Sequence, residues 1–182
     1  MPLKFAWAIT GAGDYMPESV QVMKEIVSQH DAKVLVFLSK AGMQVIKWYK
    51  LLSDLKSISS KIRTEIDANT PFIAGALQKG THQFIVVTPA TANTVAKLAY
   101  GIADTLVTNA VAQAMKTGVP IYIYPVDQKP GRVTTMLPNG EKMDLTTRKI
   151  DLENVDKLRV MEGITILKHP SEIKEYLQKY LK

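Results

Sequence analysis

The chain of 182 residues contains no cysteine. This absence excludes disulfides, thiolate nucleophiles and iron–sulfur clusters ligated by the chain's own cysteines. If the protein handles electrons, any iron–sulfur cluster must therefore lie on a partner.

The sequence also lacks a long hydrophobic segment. No apolar run approaches the roughly 20 residues that are needed to cross a bilayer. The first residues contain one lysine and a short apolar run before a glycine-containing turn, and this pattern does not match a signal peptide. We therefore expect a cytoplasmic protein without membrane contact.

Positive charge is in moderate excess. The net charge is +6 and the isoelectric point is near 9.4. Two interpretations remain open, a lysine-rich solvated surface or a docking face for acidic partners or ligands. No RNA- or DNA-binding signature accompanies the charge, so no nucleic-acid partner is expected. No metal site is predicted either.

Apolar runs and helical patterns alternate along the chain, which predicts an α/β fold, Rossmann-like or flavodoxin-like, with a parallel sheet and helices on both faces. Residues 57–69 are polar and ambiguous, and residues 104–107 are a short connection or strand. The predicted strands are 3–9, 33–38, 84–87, 120–124 and 163–167. The predicted helices are 18–29, 41–55, 70–78, 93–102, 109–116 and a terminal helix from 170, with Thr70 as N-cap and Pro71 as first residue of the third.

The carboxyl-terminal part has a different pattern. Turn residues at 137–141 separate two short segments, 133–136 and 142–147, and predict a β-hairpin. Residues 151–159 are helical or irregular. We expect one domain over residues 1–182, with an α/β core at 1–125 and the hairpin, a strand and a helix at 126–182.

The segment Thr88–Thr94 is the most informative part of the sequence. It follows a buried strand and opens a helix, the place where ligands bind in an open α/β sheet. Thr91, Asn93 and Thr94 offer hydrogen bonds without bulk, and the start of a helix favours an anion.

Two other loops belong to the same predicted site. Gly11-Ala12-Gly13 follows the first strand, but a dinucleotide fingerprint would need a third glycine where Met16 stands. The second strand ends in Ser39-Lys40, where an NAD site would place an acidic residue. Ser39 either caps the next helix or binds a phosphate. The three loops together favour a mononucleotide with an exposed phosphate over NAD.

Residues Pro89–Thr94 resemble the P-A-S-A-N-T motif of the homo-oligomeric flavin-containing Cys decarboxylase superfamily, with Thr91 in place of serine. The following residues, Val95–Asp104, resemble that superfamily's A-K-x-A-x-G-I-x-D extension. The resemblance implies an FMN cofactor and a homotrimer, or an assembly of trimers, with FMN between neighbouring subunits. It places Gly11, Ala12 and Ser39 at the phosphate region, Ala90, Thr91, Asn93 and Thr94 at the ribityl and ring region, and Thr108 and Asn109 within reach of the flavin. The other cofactor-binding candidates are Gly13, Lys40, Thr88 and Pro89.

The departures from the superfamily concern its decarboxylase branches. Gly75 stands where those enzymes place a catalytic histidine, and no cysteine is present for their substrate-clamping flap. His82 lies near the start of the third strand, at the wrong end of the sheet. Tyr124–Gln128 replaces their P-A-M-N-type substrate motif. Decarboxylation of a cysteine-type substrate is therefore disfavoured.

Within the superfamily, the segments Asn69–Gln78, Ala103–Ala114 and Pro125–Gln128 resemble the archaeoflavoprotein and dihydromethanopterin reductase branch. This implies an FMN oxidoreductase that reduces dihydromethanopterin or a related dihydropterin, with electrons from a ferredoxin-type or nicotinamide donor. Tyr124 and Asp127 are candidates for one wall of the substrate pocket, and no catalytic residue is assigned.

Two alternatives remain open. The first is an electron-transfer flavoprotein between redox partners, such as a ferredoxin or an iron–sulfur flavoprotein. The second is a flavin prenyltransferase or decarboxylase, which needs an acid–base set that the sequence does not offer.

Overall fold

Two apolar strands form the centre of the sheet. In the computed structural model, which describes residues 2–181, β1 (Leu3–Ile9) pairs in parallel with β2 (Ala32–Leu38) and β4 (Ile85–Ala90). Every residue of β4 is buried, and in β1 only Lys4 is exposed, because helices cover both faces of the sheet. The remaining strands of this sheet are β3 (Ile62–Thr64), β5 (Ile121–Pro125) and β8 (Ile164–Ile166).

All six strands are parallel, in the order β3-β2-β1-β4-β5-β8. This order is that of the Rossmann fold, and it places the carboxyl ends of β1 and β4 side by side at the point where the order reverses. The predicted α/β fold is therefore confirmed.

Helices pack on both faces of the sheet. Within residues 2–181, no helix is both long enough and apolar enough to pass through a membrane. One face is covered by α1 (Met16–Gln29), α2 (Lys40–Trp48), α3 (Leu52–Ile58) and α8 (Ile173–Leu177), the last preceded by a 3₁₀ turn, Pro170–Glu172. The other face is covered by α4 (Ala74–Gln78), α5 (Ala92–Ala99), α6 (Leu106–Lys116) and α7 (Lys149–Arg159).

The predicted β-hairpin is confirmed. Strands β6 (Arg132–Met136) and β7 (Lys142–Thr146) pair in antiparallel register and form a separate two-stranded sheet. The hydroxyl of Tyr49, just after α2, donates a hydrogen bond of 2.7 Å to the carbonyl of Met136. This bond ties the hairpin to the end of α2.

Two predicted helices differ from the structure. The predicted helix 41–55 is two helices, because Lys50 adopts a positive φ of 58°, which ends the first helix. The predicted helix 70–78 begins only at Ala74, with Ile73 as its N-cap. Thr70 is not a cap; its carbonyl accepts the amide of Ile66 at 2.8 Å and closes a turn.

The structure also defines two short regions that the sequence pattern does not assign. The ambiguous segment 57–69 contains β3, a three-residue edge strand that is too short for a clear alternation. The segment 104–107 is not a strand. Helix α6 already begins at Leu106, and Thr105 and Thr108 form its capping box.

Trp7 shows how β1 holds the carboxyl-terminal half of β4. Its side chain is fully buried, and its indole N–H donates to the carbonyl of Thr88 at 3.2 Å. We expect Trp7→Phe to lower the free energy of unfolding by about 1–3 kcal/mol, because it leaves a cavity and an unpaired carbonyl. Urea denaturation measures the change.

The matched control is Trp48→Phe, since Trp48 is 57% exposed. That substitution is expected to change the free energy of unfolding by no more than about 0.5 kcal/mol. Equal losses for the two variants would contradict the role given to Trp7.

Candidate functional site

A single hydroxyl joins the two central strand ends. Thr10, directly after β1, is buried. Its hydroxyl donates to the carbonyl of Pro89 at 2.8 Å and accepts the amide of Thr91 at 2.9 Å. The loop after β1 and the Thr88–Thr94 segment are therefore held together. The sequence predicts this proximity, because both segments lie at the carboxyl ends of neighbouring strands.

The turn after β1 also packs closely on α2. A Cβ atom added to Gly11 would lie 2.6 Å from the Cβ of Ala41, so a larger residue cannot be accommodated without movement. The absence of a side chain at Gly11 therefore lets α2 approach the backbone of this turn closely.

The start of α5 is capped by the hydroxyl of Thr91. Thr91 is the N-cap, its hydroxyl accepting the amide of Thr94 at 3.2 Å, and the two hydroxyl oxygens lie 3.1 Å apart. Asn93 is exposed on the first turn of the helix. The hydroxyl of Thr91 thus provides a polar group beside the turn after β1.

A cavity of about 310 Å³ lies over these strand ends, which is near the lower limit of small-molecule sites. The predicted site residues Gly11, Ala12, Gly13, Thr91 and Asp127 all line it. Two further lining residues lie in the predicted loops, Asp14 after β1 and Val126 after β5. The remaining ones, which the sequence did not reveal, come from the end of α2 and from the hairpin: Val45, Trp48, Tyr49, Thr135, Leu137, Pro138, Met143 and Leu145.

A second cavity lies next to this one. The adjoining cavity of about 690 Å³ is lined by Tyr49, Trp48 and Met136, among others. The two cavities share Gly13, Asp14, Trp48, Tyr49, Leu137 and Pro138. The two cavities therefore adjoin at the end of α2 and the turn of the hairpin.

The Ser39–Lys40 loop contributes to the start of α2 rather than to the cavity lining. The Ser39 hydroxyl caps the helix by accepting the Gly42 amide at 2.9 Å. The amide of Lys40 donates to the carboxylate of Glu65 at 3.2 Å, and the same carboxylate accepts the amide of Leu106 at 3.2 Å. Glu65, which sequence analysis missed, thus joins the starts of α2 and α6. The phosphate role of Ser39 and Lys40 stays a prediction.

Several other predicted residues lie outside the cavity. Thr88 is buried, with its hydroxyl 2.9 Å from that of Ser19. Thr108 is buried in its capping box, and the Asn109 amide donates to the carbonyl of Ala68 at 2.9 Å. Pro89 and Ala90 are buried in β4, while Lys40 and Asn93 are exposed.

Tyr124 faces the core rather than the cavity. Its side chain is 2% exposed, and its ring meets that of Tyr15 edge to face, with centroids 5.0 Å apart. Burial raises the pKa of the Tyr124 hydroxyl, and Tyr15 adds to the shift. Asp127, the other candidate for the pocket wall, does line the cavity.

At Gly75, where the decarboxylase branches place a histidine, the space beside the backbone is occupied by the ring of Phe72. A Cβ atom on Gly75 would lie 2.5 Å from the ring of Phe72. A histidine at position 75 would therefore collide with Phe72 unless that ring moved.

Several basic side chains lie close together at the opposite end of the sheet. A cavity of about 430 Å³ there is lined by basic side chains, including Lys4, Lys33, Lys61 and Arg63. None of these four forms a salt bridge with another residue of 2–181. His82 also lines this cavity, and burial lowers its pKa. His82 lies before β4, away from the candidate site, as the sequence predicts.

Comparison with protein families gives a match over almost the whole chain. The family model Flavoprotein matches residues 2–178. An uncharacterized protein of Methanocaldococcus jannaschii is 50% identical over 179 residues, which cover 98% of this chain and 96% of that protein. A dihydromethanopterin reductase (acceptor) of the same organism is 35% identical, covering 96% of this chain and 95% of that protein.

A solved structure supports the same grouping. The chain is similar to Burkholderia xenovorans DmrB in complex with FMN, described as a cubic protein cage for redox transfer. The TM-score is 0.83 at 35% identity, and the match covers 98% of this chain and 95% of that one. The similarity extends over the hairpin as well as the α/β core.

Removal of the Thr10 hydroxyl tests the link between the strand ends. In Thr10→Val the amide of Thr91 loses its partner, so we expect unfolding to become easier by about 1–3 kcal/mol and FMN retention to weaken. Thr117→Val, at an exposed helix end, is the matched control. Urea denaturation and fluorescence titration with FMN measure the two effects. Retention as strong as in the control would show that the cavity does not hold the flavin.

Proposed function

Because this chain belongs to the flavoprotein family, we propose that it is an FMN-dependent oxidoreductase that reduces a dihydropterin of the dihydromethanopterin type. The relatives confirm the branch that the sequence predicts, since one of them is a dihydromethanopterin reductase and another was solved with FMN. FMN is the cofactor. We place the reaction in the cytoplasm.

The residues over the strand ends fit a flavin. The turn at Gly11–Gly13 has no bulky side chain, Thr91 offers a hydroxyl, and Met143 and Leu145 of the hairpin supply an apolar wall. In this proposal the turn and Thr91 hold the cofactor, and the hairpin shields it from water. Bound FMN supplies hydride and single-electron chemistry, while the protein supplies orientation and electrostatics.

The observation that carries the proposal is the pair of adjoining cavities beside the hairpin. A flavin needs one flat site and a pterin needs a second one next to it. We place the flavin on the Gly11–Gly13 turn in the cavity of about 310 Å³ and the pterin beside it, within reach of Asp127. The adjoining cavity of about 690 Å³ gives the substrate access beside Trp48 and Tyr49.

The electron donor is a separate molecule in this account, of the ferredoxin or nicotinamide type. The alignment with the dihydromethanopterin reductase runs over 234 positions, so that enzyme has residues with no counterpart in this chain. With no cysteine of its own, this chain receives electrons from an external centre.

The runner-up is an electron-transfer flavoprotein without a small-molecule substrate. Exposed side chains around the hairpin, Trp48, Met136 and Met143, favour it because they offer a protein partner direct contact beside the cofactor site. The basic cavity does not serve this purpose, since β1 separates it from the site by roughly 20 Å.

The chemistry is tested by anaerobic oxidation of the reduced protein. We expect a dihydropterin to reoxidise the flavin and to yield the tetrahydropterin, followed by absorbance and chromatography. Peptides ending in cysteine are expected to release no carbon dioxide, because Phe72 fills the space at Gly75 and no cysteine clamp exists. Oxidation by a ferredoxin-type protein, with no response to any pterin, would favour the runner-up. Carbon dioxide release at a useful rate would overturn the redox proposal.

We also propose that the protein is a homo-oligomer, a trimer or an assembly of trimers. Phe72 is 70% exposed and Ile66 is 64% exposed, and both lie on the loop between β3 and α4. Large apolar side chains this exposed on one loop favour contact with another copy. The apolar residues of α6 do not add to this argument, because they are mostly buried within the chain.

Substitution of Phe72 tests the assembly. We expect Phe72→Ser to lower the molar mass in light scattering, because the contact loses its largest apolar side chain. Val160→Ser is the control, since Val160 is 86% exposed at the end of α7. A wild-type monomer that is saturated with FMN would contradict the proposal, and an unchanged mass for Phe72→Ser would place the contact elsewhere.

A further inference from the structure

Asp127 lines the cavity from the turn after β5, and its two sequence neighbours hold this turn in place. The amide of Val126 donates to the carbonyl of Ala90 at 3.1 Å and joins this turn to the end of β4. On the other side, the buried side chain of Gln128 donates to the carbonyls of Pro125 and Leu167 at 3.0 and 2.9 Å. The backbone of Asp127 is therefore fixed from both sides, beside Thr91.

The other ionisable groups lining the cavity are Asp14 and Tyr49. The Tyr49 hydroxyl already donates its proton to the carbonyl of Met136. Asp14 lies on the loop between β1 and α1. Asp127 is the carboxyl that comes from the β5 side, next to the segment that carries Thr91.

The surroundings of Asp127 favour its neutral form. Burial raises the pKa of the Asp127 carboxyl, and the nearby carboxylates of Asp151 and Asp14 raise it further. The cation on this side, Arg148, opposes the shift. Its guanidinium is committed to Asp151 by two hydrogen bonds of 2.8 and 2.7 Å, so Asp127 gains no ion pair from it.

We infer that Asp127 is the proton donor in the reduction of the dihydropterin. This inference rests on the proposed function. Reduction of a carbon–nitrogen double bond adds a hydride to carbon and a proton to nitrogen. The O–H bond of Asp127 breaks, the N–H bond of the product forms, and the carboxylate then regains a proton from water. The hydride, which carries both electrons, is the cofactor's part of the chemistry.

The test compares two electron acceptors for each variant under anaerobic conditions. A dihydropterin needs a proton, whereas ferricyanide takes one electron and no proton. Asp127→Asn is expected to slow oxidation by the dihydropterin by a factor on the order of 100 or more, the usual loss when a general acid is removed. Oxidation by ferricyanide should keep the wild-type rate.

Two further variants sharpen the comparison. Asp127→Glu keeps a carboxyl and should recover part of the rate with the dihydropterin. Asp156→Asn removes an exposed carboxylate on α7 that pairs with Arg159, and both rates should stay at the wild-type level.

The sign of the pH dependence follows from the direction of the pKa. The protonated carboxyl is the active form, so the wild-type rate with the dihydropterin should fall as the pH rises through the raised pKa of Asp127. In Asp127→Asn this fall should disappear. Carbon NMR of labelled aspartate in the cofactor-free protein gives an independent measure. The signal lost in Asp127→Asn should titrate above the ordinary aspartate pKa of about 3.9.

The outcomes of these measurements distinguish the proposed function from the inference about Asp127. If the wild type reacts with ferricyanide but with no pterin, the proposed function fails and the inference fails with it. If the wild type and Asp127→Asn reduce the pterin equally fast, the inference is overturned while the proposed function stands. Equal slowing with both acceptors, or an ordinary pKa for Asp127, also overturns the inference.

Discussion

The candidate site depends on the link that the Thr10 hydroxyl makes between β1 and β4. The two bonds of this hydroxyl, to the carbonyl of Pro89 and from the amide of Thr91, hold both loops in one position. Because the hydroxyl is buried, its bonds do not compete with water. The cavity floor is therefore attached to the sheet beneath it, which suits a cofactor that must be oriented.

The cavity walls come from parts that lie far apart in the sequence. The floor comes from residues 11–14 and Thr91, one side from the turn at Asp127, and the cover from the hairpin. The bond from Tyr49 to Met136 fixes the cover to α2, and Gln128 fixes the side wall to the end of β8. Each wall thus has its own attachment to the α/β core.

Local patterns explain what the sequence revealed and what it did not. The apolar runs of β1 and β4 and the small residues after them predicted the sheet and the cavity floor. The sequence pattern does not show the break at Lys50, because helices α2 and α3 both bury apolar residues against the same face of the sheet. The cover by Met143 and Leu145, and the bridge that Glu65 makes to α2 and α6, are long-range contacts that no local pattern contains.

A structure determined with FMN and a dihydropterin bound tests the central claim most directly. The account predicts the flavin ring between the Gly11–Gly13 turn and the hairpin, with the pterin beside it and its ring nitrogen within hydrogen-bond distance of the Asp127 carboxyl. Flavin bound elsewhere, for example in the basic cavity at Lys33 and Arg63, would contradict the account.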